Sequence, residues 1–89
     1  MNIEFEITQE DIDKGVRAHI CYCPASLALS RVGNMAKVYR EHTTVLMPKG
    51  EEYCFINSLD LYDFIRNFDN GISVQPGTYK LISPTSDEH

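Results

Sequence analysis

The stretch EYCFINSLDLYDFIRNFDNG, residues 52–71, decides the fold class, because it passes from strand to helix within a few residues. EYCFIN follows the turn-forming PKGE and reads as the second arm of a hairpin, with Cys54 between Tyr53 and Phe55 as a core or sheet-face side chain. Ser58 then stands where a helix N-cap belongs. Beyond it, Leu61, Phe64, Ile65 and Phe68 recur at i, i+3, i+4 and i+7, which makes one apolar stripe. Asp60 in the first turn and Arg66 near the last suit the helix dipole, and Gly71 closes the helix after Asn70.

Outward from this stretch the signals are shorter. AKVYRE (36–41) and TTVLM (43–47) read as two further strands, and ISVQPGTYKLIS as a last extended segment broken by Pro76-Gly77. At the start, Ile3, Phe5 and Ile7 alternate with Glu4 and Glu6, the period of a half-buried strand. Thr8 caps a short helix QEDIDK, which Gly15 is expected to close in a left-handed conformation. After an irregular stretch, Pro24 opens a second helix, PASLALSRV, with Cys23 at the cap and Ala25, Ala28, Leu29 and Val32 on its apolar face. The order β-α-α-β-β-β-α-β predicts an α+β domain: a small antiparallel sheet with two short N-terminal helices and one longer helix packed on it. Residues 1–82 form this single domain, and 83–89 are expected to be a flexible tail.

Eighty-nine residues hold one core, and so small a domain often gains stability by oligomerising. The net charge of −5 argues against a general DNA or RNA binder, which needs a dense basic surface. A small nucleotide is a different matter, since two or three arginines in one pocket suffice for it. The acids are spread along the chain, so mimicry of nucleic acid is weakly supported. The N-terminus lacks the basic and apolar regions of a signal peptide, and no apolar run nears the ~18 residues of a membrane span. Three cysteines, an odd number, suit a reducing compartment. A cytoplasmic protein without membrane contact is the expectation.

Chemistry concentrates in GVRAHICYCPASLALSR, residues 15–31. His19, Cys21, Cys23, His42 and Cys54 are the residue types of a zinc site, but H-x-C-x-C is unlike the usual C-x2-C knuckle. No metal and no cofactor are expected. Cys23 at a helix start could be a low-pKa nucleophile, yet nothing in the sequence sets His19 or His42 beside it as base. No catalytic residue is therefore assigned, and the chain is not expected to be an enzyme. The third chemistry is anion binding. The first turn of the Pro24 helix offers the N–H groups of Ala25 and Ser26 and the Ser26 hydroxyl, and Arg17 upstream is able to fold over the same place. Against it stands the plainer alternative that water or the Cys23 side chain satisfies these groups and Arg17 is solvated. Tyr39 and Arg40, adjacent on a strand, pair a stacking ring with a cation, a common surface arrangement. Arg31 and Arg66 are explained by the dipole alone, and Asp11, Asp13, Glu51 and Glu52 read as solvated acids.

The segments ITQEDIDKG, CPASLAL, FIRNFDNG and VQPGTYKL together resemble a family of short proteins encoded by phages and some bacterial genomes. The family pattern is I-T-x-E-H-I-x-x-G, C-P-x-A-L-A-L, F-I-x-x-F-D and V-x-P-x-x-F-x-L, and the likeness runs from Ile7 to about Leu81. Its most specific piece is Cys23-Pro24 followed by Leu27, Ala28 and Leu29. Asp11 stands where the family often has histidine, and Ser26 interrupts the alanine run. The resemblance is associated with phage nucleotide sponges that oppose CBASS immunity, which bind a cyclic dinucleotide tightly without degrading it. It implies an immune-evasion protein of the host cytoplasm, a cyclic oligonucleotide such as cyclic GMP-AMP as ligand, and a homo-oligomer with pockets built between subunits. Combined with the chemistry above, the candidate ligand-binding residues are Arg17, His19, Tyr22, Cys23, Pro24, Ala25, Ser26, Tyr39, Arg40 and Tyr79. The alternative function is an acidic protein–protein inhibitor of a host defence complex, of the anti-CRISPR kind.

Overall fold

The computed structural model describes residues 2–47 and 49–84. Its elements run β1 (Ile3–Ile7), α1 (Gln9–Lys14), α2 (Pro24–Arg31), β2 (Met35–Val38), β3 (His42–Leu46), β4 (Glu52–Asn57), α3 (Leu59–Asp69) and β5 (Gly77–Ile82). Every strand pairing is antiparallel, in the order β1-β5-β4-β3-β2, which is the α+β class that the periodicities predict. Of the expected tail, residues 85–89 lie outside the described residues.

The chain order explains the sheet order. β2, β3 and β4 are sequential hairpin arms, the second turn carried by Gly50 at φ +91°. β5 returns after α3 and is wedged between β4 and β1. The sheet then curls until both of its edges meet the α2 region. On one edge, Arg31 of α2 donates to the Glu6 carbonyl (3.0 Å); on the other, the Val38 N–H donates to the Ile20 carbonyl just before α2 (2.8 Å). This covers strand edges that would otherwise offer unpaired backbone to other chains.

The alternating strand positions decide which face is packed. Phe5, Ile7, Val38, Val45, Phe55 and Leu81 point inward, and Ala25, Ala28 and Leu29 of α2 join them with Leu61, Phe64 and Ile65 of α3. Each such large side chain contributes about 1.5–3 kcal/mol by leaving water. The expected α3 stripe is thus present, with Phe68 half-buried beside it. Ser58 caps α3 through Leu61 N–H, and Thr8 caps α1.

Several expectations are corrected. Gly15 does not close α1 in a left-handed conformation; its φ is −67°. Glycine is needed there for space, because a Cβ would sit 2.5 Å from Cδ of Pro24. Asp11 is not a solvated acid. It is buried, takes the Thr8 N–H in a reciprocal capping box, and accepts a 2.6 Å hydrogen bond from Arg31. The dipole alone therefore does not account for Arg31. Val32 lies outside α2 and is exposed, since the helix ends one residue earlier, and β2 stops at Val38 instead of continuing through Glu41.

Candidate functional site

A cleft of about 280 Å³ opens where the loop before α2 meets the β2–β3 turn and the C-terminal end of α3. Its polar lining is His19, Tyr39, Arg40 and Asp69, and its apolar floor includes Cys23, Val38 and Ile65. Four of the residues singled out from sequence, His19, Cys23, Tyr39 and Arg40, therefore share one cavity.

The turn that carries Tyr39 and Arg40 is held from beneath by a buried amide. Asn57, at the end of β4, donates through Nδ2 to the carbonyls of Tyr39 (2.8 Å) and Arg40 (2.9 Å). Its Oδ1 accepts from the hydroxyl of Thr43 (2.6 Å), which is itself fully buried. The Tyr39 N–H closes the turn on the His42 carbonyl, and the Tyr39 and His42 rings stack at 4.6 Å with 21° between planes. The turn that bears Arg40 is thus braced by Asn57 from below and by the Tyr39–His42 stack across it. Sequence reasoning missed Asn57 and Thr43; a buried polar pair on neighbouring strands leaves no local signal.

The opposite wall is the loop of residues 15–23. Val16 N–H bonds the Tyr22 carbonyl and Cys23 N–H the His19 carbonyl, so the loop folds back on itself. Ala18 has φ +55°, a conformation that costs a residue with a Cβ roughly 1–2 kcal/mol. The Asp69 carboxylate takes the Ala18 N–H at 2.8 Å and holds this bend. His19 accepts the Cys21 N–H at Nδ1 (3.2 Å), which leaves Nε2 as the ring's donor, and its ring leans on Tyr22 at 4.8 Å.

The helix start itself is closed. Pro24, Ala25 and Ser26 are buried, with Pro24 tight against Gly15. The Ser26 hydroxyl donates to the Ile20 carbonyl and lies 3.4 Å from the Cys23 sulfur. Burial pushes the Cys23 thiol above its ordinary value; the Ser26 hydroxyl and the nearby Ser26 and Ala25 N–H groups pull it back only in part, and the Cys23 side chain makes no cap hydrogen bond to the helix. A protonated, buried thiol is a poor nucleophile.

Arg17 goes elsewhere. Its guanidinium lies over Gly71, 3.3 Å from where a Cβ would be, and lines a separate groove with Gln9, Ile12 and Phe68. Tyr79 also leaves the cleft: it sits edge-on to Phe64 at 5.1 Å, and its hydroxyl donates to the Gln75 carbonyl. Burial, with the charge of Asp60 behind it, raises the Tyr79 phenol above its usual range. Tyr22 lines a neighbouring groove beside β2 with Met35 and Lys37. Among the described residues, no group of three or more His, Cys, Asp or Glu side chains is placed to hold a metal ion, and no helix is long and apolar enough to cross a membrane.

Comparison of the chain with protein-family models, with curated proteins and with solved structures returns no match.

Proposed function

We propose that this chain binds a cyclic dinucleotide and holds it without cleaving it. The observation that supports this most is the braced turn: Arg40 and Tyr39, the latter backed by the stacked His42 ring, line one cleft together with His19. A guanidinium pairs with phosphate oxygens through two parallel hydrogen bonds, and a flat ring stacks on a base whatever its sequence. The Cys23 thiol in the cleft is kept protonated by burial, which favours binding over nucleophilic attack.

At about 280 Å³ the cleft falls just below the roughly 300–1,000 Å³ that small-molecule sites span. It suits one nucleotide. In this reading a second copy of the chain takes the other half of the ligand, so binding and homo-oligomerisation go together. For a phage-encoded protein, such binding would withhold a defence signal in the host cytoplasm, as the motif resemblance implies.

The test is a melting experiment with cyclic GMP-AMP, cyclic di-GMP and cyclic di-AMP. Saturation at a hundred times Kd adds about 2.7 kcal/mol, which for a domain of this size raises Tm by roughly 10–20 °C. Arg40→Ala removes the shift, and ligand recovered after denaturation is intact. Unmoved melting curves with all three ligands would refute the proposal and favour the protein-directed inhibitor instead.

A further inference from the structure

We infer that Asp69 makes the cleft selective for guanine, a specificity that rests on the nucleotide-binding reading above. The rest of the polar lining suits an anion, with Arg40 as cation and His19 Nε2 as donor. A carboxylate in the same cavity repels phosphate, so its place there calls for a partner that donates hydrogen bonds.

The local structure does not account for the charge. Asp69 is the last residue of α3, where the helix dipole disfavours an acid. Its Oδ1 holds the Ala18 N–H at 2.8 Å, a task that the carbonyl oxygen of an asparagine would perform without the charge. Among the described residues Oδ2 has no hydrogen-bond partner. The carboxylate is thus fixed through one oxygen and leaves acceptor capacity over in a cavity whose rim carries a stacking ring.

Guanine is the base that matches this. Its Watson–Crick edge presents two adjacent donors, N1–H and the N2 amino group, to the two oxygens of one carboxylate. Adenine and cytosine present one amino donor beside a ring acceptor, whose lone pair meets the carboxylate unfavourably. Uracil presents a single N–H between two carbonyls. Two parallel charge-assisted bonds against one, with a repulsion added, give about tenfold discrimination or more. The base then lies against Tyr39, with Arg40 left to the phosphate.

The experiment titrates the full chain with cyclic di-GMP, cyclic di-IMP (which lacks the N2 amino groups) and cyclic di-AMP, by calorimetry. The expected order of affinity is guanine over hypoxanthine over adenine, with about tenfold or more between the extremes. Asp69→Asn, which keeps an acceptor for Ala18, lowers cyclic di-GMP affinity about tenfold and leaves cyclic di-AMP unchanged or tighter. Equal binding of the three ligands by the wild-type chain overturns the inference while leaving the nucleotide reading intact, and needs no variant to fold. A guanine preference that survives in Asp69→Asn likewise overturns it. Binding of none of the three defeats the nucleotide reading and this inference with it.

Discussion

Asn57→Asp is the most exacting test of how the site is built, because it changes the chemistry of one buried group and almost none of its shape. The Nδ2 group donates to two carbonyls of the turn, Tyr39 and Arg40, while Oδ1 takes the Thr43 hydroxyl. The carboxylate keeps the Thr43 bond and loses both donations. Each lost bond is worth about 1 kcal/mol, and two carbonyl oxygens now face a negative oxygen at a site only 6% exposed. The loss is then about 2–4 kcal/mol, a fall in Tm of roughly 10–25 °C. The pH dependence has a definite sign. Those carbonyls raise the new carboxyl's pKa in the folded state above its unfolded value of about 3.9, and once protonated it donates one bond back. The deficit against wild type is therefore full near neutral pH and shrinks as pH falls through the raised folded value. Thermal unfolding of both proteins, followed by circular dichroism at about pH 7 and about pH 4, measures it. Equal melting temperatures at neutral pH, or a deficit that grows in acid, would refute the account of the turn.

Gly15→Ala should cost about 1–2 kcal/mol, since its Cβ meets Pro24 Cδ at 2.5 Å and the Pro24 nitrogen at 2.9 Å, and overpacking outweighs the gain from a stiffer unfolded chain. Gly33→Ala, with open space but φ +92°, should show backbone strain alone, so the two variants separate steric from conformational cost by chemical denaturation. At Asp11, burial acts to raise the carboxyl pKa, but hydrogen bonds from Arg31 and the Thr8 backbone outweigh it and hold it below the ordinary value. A depressed folded pKa means stability that is present above the unfolded value of about 3.9 and lost as pH falls through the folded one. Because Arg31 is half exposed, Asp11→Asn should cost only about 1–2 kcal/mol at neutral pH, and the gap from wild type should close in acid. A gap independent of pH would contradict the ion pair.

What the sequence showed was local. The alternation of Ile3, Phe5 and Ile7, the caps Thr8 and Ser58 and the stripe Leu61–Phe64–Ile65 each lie within one element, and the structure has them all. What it hid was non-local. Asp11 looked solvated because its partner, Arg31, is twenty residues away on the next helix. Gly15 looked like a turn residue because nothing nearby announced the ring of Pro24. The curl of the sheet, which brings both edges to α2, is likewise absent from any strand's own pattern. The site divides along the same line. Tyr39 and Arg40 are neighbours in the chain, and His19 and Cys23 stand out in the sequence for metal and nucleophile chemistry, not for the cavity they share. Asp69 and Asn57 entered only with the fold, and Arg17 left the site when its guanidinium settled over Gly71.

The central claim, that the Tyr39–Arg40 turn and the His19 loop enclose a nucleotide, is tested most directly by titrating isotope-labelled protein with cyclic di-GMP and following backbone amide shifts by NMR. The account predicts saturable changes concentrated at Ala18, His19, Ile20, Tyr39, Arg40 and Asp69, with the groove of Arg17 and Gly71 unchanged. Saturable changes centred on Arg17 and Gly71, or none anywhere at ligand in large excess, would contradict it.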